Sequence, residues 1–229
     1  MKILVGIPCV TGPIHCRASI KSAISYADVL IIDNGATKEV KDVLLEIKDT
    51  YTTPYKLFTI VNKDNIYVNP AWNQIMEYFL EHKEYDYLII MNSDLSMEFP
   101  WEWICNERWR NDPDEILVPV LNEGVKYPTY PYFLPAKIVT EGTPGAFITL
   151  NRRQAKIVYP IPGEIKIWFG DNWIYSTLRN FGYQTVIPPN LTGTTSWSQT
   201  VSKIPEATAI IEEDKIAWEK VKHTIKKPS

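Results

Sequence analysis

The sequence predicts an α/β protein with a mainly parallel central sheet flanked by helices. Short apolar runs alternate with helical patterns through about the first 95 residues, in the order β-α-β-α-β-α-β. The clearest run, residues 87–91, is apolar on both faces and ends at Asn92-Ser93-Asp94. Such a run is typical of a strand buried in a parallel sheet, whose carboxyl end opens into a ligand crevice.

The first half contains four predicted strands and three predicted helices. The strands cover residues 2–10, 28–32, 56–61 and 87–91. A first helix follows from apolar residues at helical spacing around Ile20 and Ile24, and a second from the stripe Val40, Val43, Leu44 and Ile47. The third is the best marked, because Asn69 suits the N-cap and Pro70 the first helical position.

The second half alternates less regularly. Strands are predicted at 116–121, 146–150 and 183–187, and helices at 100–109, from Asn151 onward, at 171–180 and at about 205–223. Residues 123–145 are rich in Pro and Tyr and have no periodicity, and 192–199 read as a polar loop. A loop as long as 123–145 within a compact domain is more often functional than idle.

Composition limits the function classes. A net charge of −3 gives no basic field, so nucleic acid is not expected as a partner. Three cysteines without a CxxC pair indicate reduced thiols rather than a disulfide framework or zinc site. No signal peptide and no apolar stretch of about 20 residues is recognisable, so a cytoplasmic location without a transmembrane segment is expected.

Polar residues follow three successive predicted strands, namely Asp33-Asn34-Gly35, residues 62–65 and Asn92-Ser93-Asp94. Gly170-Asp171-Asn172 and Gly182-Tyr183 bracket a later helix. In this order the chain resembles the GT-A inverting glycosyltransferases of family 2, which include polysaccharide synthases and rhamnosyltransferases. The resemblance spans roughly residues 3–190 and implies the GT-A (nucleotide-diphospho-sugar transferase) fold. The length of 229 residues suits a single domain over 1–229. Its parts would be a nucleotide-binding half (about 1–95), an acceptor and catalytic half (about 96–200) and the C-terminal helix (about 205–223).

The resemblance assigns roles to individual residues. Asp94, the acid of an N-x-D version of the family's metal motif, would bind Mn²⁺ or Mg²⁺, since these ions accept one or two carboxylates and complete their shell with phosphate oxygens. Asp171 would be the general base that inverting transfer requires. Its competing role is a helix N-cap. The donor-binding residues would be Pro8, Val10, Asp33, Asn62, Asn65, Asn73, Asn92, Ser93 and Gly145.

Acceptor binding is predicted for residues 123–145, with Tyr130 and Tyr132, and for Trp101 and Trp168, because aromatic faces stack on sugars. The alternative is that 123–145 is a hydrophobic loop that only covers the sheet. The segment Gly142–Gly145 resembles the small-residue segment beneath the donor sugar. Two departures from the family are evident, since Gly170 replaces its usual Glu and residues 192–199 contain neither His nor Asp as a third metal ligand. Thr195, Ser196, Ser198, Arg17 or His15 are alternatives for phosphate contact, although a structural or exposed role is favoured for His15.

The resemblance therefore implies transfer of a sugar, with inversion, from a UDP- or dTDP-linked donor to an acceptor hydroxyl on a carbohydrate or other molecule. One alternative is a sugar nucleotidyltransferase, although the segment after the first strand, TGPIHCR, is a poor phosphate loop. Another is a non-catalytic nucleotide- or carbohydrate-binding protein on the same fold.

Overall fold

The computed structural model describes residues 1–98, 100–122, 136–139, 145–195 and 207–227. Its strands β1–β11 are Ile3–Cys9, Asp28–Asn34, Leu57–Asn62, Tyr87–Met91, Leu95–Met97, Ile116–Leu117, Val120–Asn122, Lys137–Val139, Phe147–Asn151, Thr185–Ile187 and Thr192–Thr195. Its helices α1–α7 are Pro13–Ile24, Lys38–Thr50, Val68–Glu81, Trp101–Asn111, Arg152–Val158, Gly170–Asn180 and Ala207–Val221, followed by a 3₁₀ turn at Lys222–Thr224.

The central sheet has the strand order β3-β2-β1-β4-β9. The first four strands are parallel, and β9 runs antiparallel to β4, so Phe147 lies opposite Met91. The strands β2 and β3 are added on one side of β1, and β4 is added on the other side. The order in which strands are added along the sheet therefore reverses at β1. The carboxyl ends of the strands at such a reversal form the crevice in which open α/β sheets bind ligands. The predicted α/β class with a mainly parallel sheet is confirmed.

Helices cover both faces of this sheet. Helices α1, α2 and α4 pack against one face, where alternate strand residues such as Val5 and Ile31 are buried. Helices α3, α5 and α6 and the end of α7 pack against the other, with Leu30 and Ile90 beneath them. Both faces of β1, β2 and β4 are buried, which explains why these strands are apolar runs rather than alternating patterns.

Helix α3 begins earlier than its cap residues predict. Tyr67 occupies the N-cap position with a positive φ of 69°, and no side chain caps the helix. Asn69 lies inside the first turn and is buried. Its amide donates to the carbonyls of Ile165 and Trp168, 3.2 and 3.0 Å away, because the loop before α6 passes directly over this end of the helix.

The second half contains strands that the sequence does not reveal. The predicted strand at 116–121 is interrupted and becomes β6 and β7. The polar stretch from Thr192 to Thr195, predicted as loop, is instead strand β11, which pairs with β5 and β7. Four residues of Thr and Gly have no alternating pattern, and cross-strand partners supply the stabilisation. Helix α5 begins with a full capping box between Asn151 and Gln154, as its predicted start at Asn151 suggests.

Candidate functional site

A cleft opens at the carboxyl ends of β1, β2 and β4. Its walls come from the β1–α1 loop, the end of β2, the loop before α3, the β4–β5 turn and one residue ahead of α6. The lining residues are Pro8, Val10, Thr11, Gly12, His15, Asn34, Asn65, Tyr67, Val68, Asn92, Ser93, Asp94 and Ile167. Of the predicted donor and metal residues, Pro8, Val10, Asn65, Asn92, Ser93 and Asp94 therefore lie together in one cleft.

The turn after β2 separates two neighbouring residues. Asp33 is buried, and its Oδ1 accepts the backbone N–H of Ala36 at 2.9 Å, so its carboxylate closes the turn rather than lining the cleft. Asn34 is the residue of this turn that lines the cleft. Gly35 adopts φ 63°, and a Cβ on it would lie 2.5 Å from the backbone nitrogen of Asn65. Glycine therefore lets the 64–65 backbone approach the turn.

Asn34 fastens the loop that leads into α3. Its Oδ1 accepts from the backbone N–H of Ile66 and from Asn62 Nδ2, both at 3.1 Å. Its Nδ2 donates to Asn65 Oδ1 at 3.0 Å and to the carbonyl of Tyr67 at 3.1 Å. All four hydrogen-bonding positions of this amide are used. Asn34 thus shapes the wall formed by Asn65 and Tyr67.

Two residues predicted to bind the sugar donor, Asn62 and Asn73, have side-chain amides that form hydrogen bonds within the protein. Asn62 exchanges two 3.0 Å hydrogen bonds with Gln74 of α3. Asn73 forms a two-bond pair with the backbone of Ile161, donating to its carbonyl at 2.9 Å and accepting from its N–H at 2.8 Å. Neither residue is among those that line the cleft. These hydrogen bonds attach α3 to the end of β3 and to the backbone at Ile161, so both amides stabilise the elements that surround the cleft.

The β4–β5 turn, which carries Asn92, Ser93 and Asp94, is held by α1. Ser19 donates its hydroxyl to the carbonyl of Asn92 at 3.1 Å, and Ser22 accepts the backbone N–H of Met97 at 3.1 Å. The indole of Trp101 donates to the carbonyl of Ser22 at 3.0 Å. Trp101 is only 1% exposed. The prediction that Trp101 binds the acceptor is therefore wrong. The ring is part of the hydrophobic core, where it supports α1.

Asp94 is the acid of the cleft, and its surroundings disfavour its charge. Burial raises the pKa of its carboxyl above the ordinary value, while a backbone hydrogen bond and the nearby imidazole of His15 lower it in part. His15, for which a structural or exposed role is favoured above, lines the same cleft. Arg17 instead pairs with Glu46 of α2 and does not line the cleft.

The part of the cleft around Asp94 offers too few protein ligands to hold a divalent ion by itself, so a bound phosphate group would have to supply the others. No group of three or more His, Cys, Asp or Glu suited to a metal occurs among the described residues. Asp94, the Asn92 amide and the His15 imidazole nevertheless offer oxygen and nitrogen donors on one side of the cleft. A desolvated carboxylate gains from a cation, and Mg²⁺ or Mn²⁺ needs only one or two such protein ligands when phosphate oxygens supply the rest.

Asp171 lies in the first turn of α6, one residue after its start. The N-cap position belongs to Phe169, which has a left-handed backbone (φ 63°) and makes no side-chain cap bond. Asp171 Oδ1 accepts the backbone N–H of Asn172 at 2.8 Å. Burial raises the pKa of this carboxyl, and backbone N–H groups, including that of Gly145, lower it in part. The result is a desolvated carboxylate at a helix N-terminus.

Gly145 joins Asp171 to the β4–β5 turn. A Cβ on Gly145 would lie 2.8 Å from the Cβ of Asp171 and 3.0 Å from its Oδ2, so the two residues are in direct contact. The next residue, Ala146, accepts the backbone N–H of Asn92 at 2.9 Å. One dipeptide therefore connects the candidate base to the turn that carries Asp94, and both acids belong to one end of the sheet.

Solved structures with the same architecture are glycosyltransferases. GalNAc-T7 with UDP, GalNAc and Mn²⁺ superposes with a TM-score of 0.62 at 14% identity, covering 96% of this chain and 50% of that chain. The mannosyltransferase PcManGT from Pyrobaculum calidifontis, in complex with GDP-Man and Mn²⁺, gives 0.63 at 12%, covering 95% and 64%. S. aureus TarS 1–349 in complex with UDP gives 0.59 at 13%, covering 86% and 59%.

The chain has the GT-A fold. Neither a protein-family model nor a curated protein sequence matches it. The chain spans between half and two thirds of the length of these GT-A structures. No helix in the described ranges combines the length and the apolar character needed to cross a bilayer.

The remaining predicted residues have mixed outcomes within this GT-A framework. Trp168 is 36% exposed and lies two residues before the start of α6. Thr195, a candidate for phosphate contact, is buried in β11 opposite Leu95, next in sequence to Asp94. Tyr130, Tyr132, residues 142–144, Ser196 and Ser198 lie outside the described residues. Asn34, Tyr67 and Ile167 line the cleft without having been predicted; the only sequence signal is the D-N-G turn that contains Asn34.

Proposed function

We propose that this chain transfers a sugar from a nucleoside-diphosphate sugar to an acceptor hydroxyl, with inversion at the anomeric carbon. The observation that carries the proposal is the connection through Gly145 and Ala146, which places a partly buried carboxylate, Asp171, beside the turn that bears Asp94. In a GT-A cleft this arrangement provides one acid for the donor phosphates and another for the acceptor.

The donor would lie along the cleft from Asn65 to Asp94. Parallel strands are about 4.8 Å apart, so the ends of β2 and β4, with β1 between them, are separated by about 10 Å. The amide-rich wall near β2 would hold the nucleoside, and the β4–β5 turn would receive the diphosphate. UDP and dTDP are the proposed carriers, and GDP belongs in any test because one structural neighbour was solved with GDP-Man.

Mn²⁺ or Mg²⁺ would be held by Asp94, with Asn92 and His15 as further donors from the same wall. Bound there, the ion would supply Lewis-acid stabilisation of the charge that develops on the leaving diphosphate. Because the protein offers few ligands, metal affinity should be low until the diphosphate is present.

Asp171 would act as the general base. Its carboxylate accepts the proton of the acceptor hydroxyl as the hydroxyl oxygen forms a bond to the anomeric carbon. The bond from that carbon to the phosphate oxygen breaks, and its electron pair leaves with the diphosphate. Desolvation raises the basicity of Asp171, and its backbone N–H partners keep the ionised form available.

The acceptor would approach from the side of Trp168, which is 36% exposed and lies three residues before Asp171 in the chain. Tyr130 and Tyr132 stay acceptor candidates from the sequence alone. A hydroxyl on a carbohydrate is the proposed acceptor class, since an exposed aromatic residue three positions before a partly buried carboxylate suits a sugar with one hydroxyl to be deprotonated.

Calorimetric titration with UDP, dTDP, GDP, CDP and ADP, with and without Mn²⁺, tests the donor site. We expect metal-dependent binding of one diphosphate that Asp94→Ala weakens and Asp171→Asn leaves intact. Release of the matching diphosphate from a panel of nucleotide sugars should require Asp171. Binding without any turnover would favour a non-catalytic binding protein. If no diphosphate binds under either condition, the transferase proposal is wrong.

A further inference from the structure

Residues 165–168 form the segment that leads into α6 and Asp171. Ile167 lines the donor cleft, and the next residue, Trp168, is exposed. Phe169 follows with a left-handed backbone, which is unfavourable for a bulky residue and persists only where the surroundings hold it. The position of Asp171 therefore depends on what fixes this segment.

Asp214, in the middle of α7, binds the segment through three successive backbone N–H groups. Its Oδ1 accepts from Lys166 at 2.8 Å, and its Oδ2 accepts from Ile167 at 2.7 Å and from Trp168 at 2.8 Å. The side chain is fully buried, with 0% exposure. Hydrogen bonds to an ionised acceptor are about twice as strong as neutral ones, and burial excludes the water that would compete with them.

The opposite side of the segment is held by α3. Asn69 donates its amide to the carbonyls of Ile165 and Trp168, and its own N–H donates to the carbonyl of Lys166 at 2.9 Å. Asp214 thus takes the N–H groups of the segment, while Asn69 takes its carbonyls. Between them they satisfy most of the polar backbone in this stretch.

One turn further along α7, Trp218 supports the next residue. Its ring stacks on that of Phe169, with centroids 5.4 Å apart and an angle of 7° between the planes. Residues 214 and 218 share a face of the helix because they are four positions apart. This face of α7 therefore contacts the segment and the residue just before α6.

We infer that Asp214 is a positioning residue for the transfer reaction, which holds the 165–168 segment so that Asp171 meets the acceptor hydroxyl in the correct place. The inference rests on the proposed function. If Asp214 served only to attach α7, an apolar residue would suit its place on the buried stripe, and its bonds would not converge on the segment beside the cleft. Most of the cleft wall comes from the ends of β1–β4 and the loops after them, whereas the hydrogen bonds of Asp214 lead to residues 166–168.

The test compares Asp214→Asn with Glu213→Gln. Glu213 is the matched control, because it is the neighbouring residue on α7 and pairs with the side chain of Lys166, an exposed ion pair of little energetic weight. The Asn side chain keeps one acceptor oxygen but turns an N–H₂ group toward a backbone N–H. We expect kcat for diphosphate release to fall about 10- to 100-fold, as for a base displaced by about 1 Å.

Three further measurements separate positioning from a general loss of structure. Affinity for UDP with Mn²⁺ should stay within about threefold of wild type in Asp214→Asn, because a change confined to the transition state spares ground-state binding. Hydrogen exchange at the amides of residues 166–168 should accelerate in Asp214→Asn but not in Glu213→Gln. Asp214→Glu should recover part of kcat, since it retains both carboxylate oxygens.

Equal kcat values for Asp214→Asn and Glu213→Gln would overturn the inference, as would a parallel loss of kcat and UDP affinity. Unchanged exchange at residues 166–168 would also contradict it. If wild type binds no diphosphate, the proposed function fails and the catalytic role of Asp214 fails with it. Slow exchange of those amides in wild type would then still show the Asp214 contacts, so the two failures are distinguishable.

Discussion

Replacing Gly145 with alanine should displace the candidate base, Asp171, from its place beside the β4–β5 turn. The added Cβ would lie 2.8 Å from the Cβ of Asp171. Carbon atoms in contact need about 3.5–4.0 Å, so the two residues must separate by roughly 0.7–1.2 Å. A displacement of about 1 Å at a reacting group can cost about 100-fold in rate, so we expect kcat to fall about 10- to 100-fold. Overpacking of this kind should also lower the free energy of unfolding by about 1–3 kcal/mol.

The assay is diphosphate release from the nucleotide sugar that wild type turns over, with UDP affinity measured by calorimetry on the same samples. Gly163→Ala is the matched control, because a Cβ there meets nothing within 4 Å. It should behave as wild type in both measurements. Wild-type kcat in Gly145→Ala would refute the reasoning, because it would mean that Asp171 can move away from residue 145 without consequence for the reaction.

Three further predictions concern the pH dependence of kcat, the charge of Asp171, and the nucleoside wall, which is the amide-rich side of the cleft near β2 that is proposed to hold the nucleoside. Because burial raises the pKa of Asp171 and a base must be deprotonated, kcat should fall as the pH drops through a midpoint above the ordinary Asp value of about 3.9, as a pH–rate profile would reveal. The ionised form is the one that burial disfavours, so at neutral pH Asp171→Asn should remove turnover while leaving the melting temperature equal or higher, and a lower one would contradict the assignment. Asn34→Ala leaves the N–H of Ile66 and the carbonyl of Tyr67 without their partner, which should cost about 1–3 kcal/mol of stability in denaturant unfolding. It should also weaken UDP binding by roughly tenfold, whereas unchanged affinity would exclude Asn34 from shaping the nucleoside wall.

The strands of the first half could be predicted because the parallel sheet buries both of their faces. Residues 87–91 are an unbroken apolar run in the sequence and are β4 with the same bounds in the structure. Strand β11 could not be predicted in this way, since its Thr and Gly residues gain their conformation from pairing with β5 and β7. The local pattern of apolar residues predicts strands whose own residues are buried. It does not predict strands that are stabilised mainly by pairing with neighbouring strands.

The location of the cleft could be predicted from the strand ends, but the direction of each side chain could not. In the Asp33-Asn34 turn the acid closes the backbone and the amide faces the cleft, a choice that depends on one hydrogen bond to Ala36. Asp214 lies more than 40 residues after the segment that it binds. A faint signal did exist, because Ile210, Asp214 and Val221 share the buried stripe of α7, where an acid needs a partner.

The close approach of Gly170 to Asn69 has a consequence for evolution and for engineering. A Cβ on residue 170 would lie 2.0 Å from Asn69 Oδ1, so the two positions occupy the same space. A glutamate at 170 could enter only if position 69 gave up its amide, and the segment before α6 would then lose the donor to two of its carbonyls. We therefore expect residues 69 and 170 to covary among homologues as an exchangeable pair, in which one sequence places its polar group on α3 and another at the start of α6.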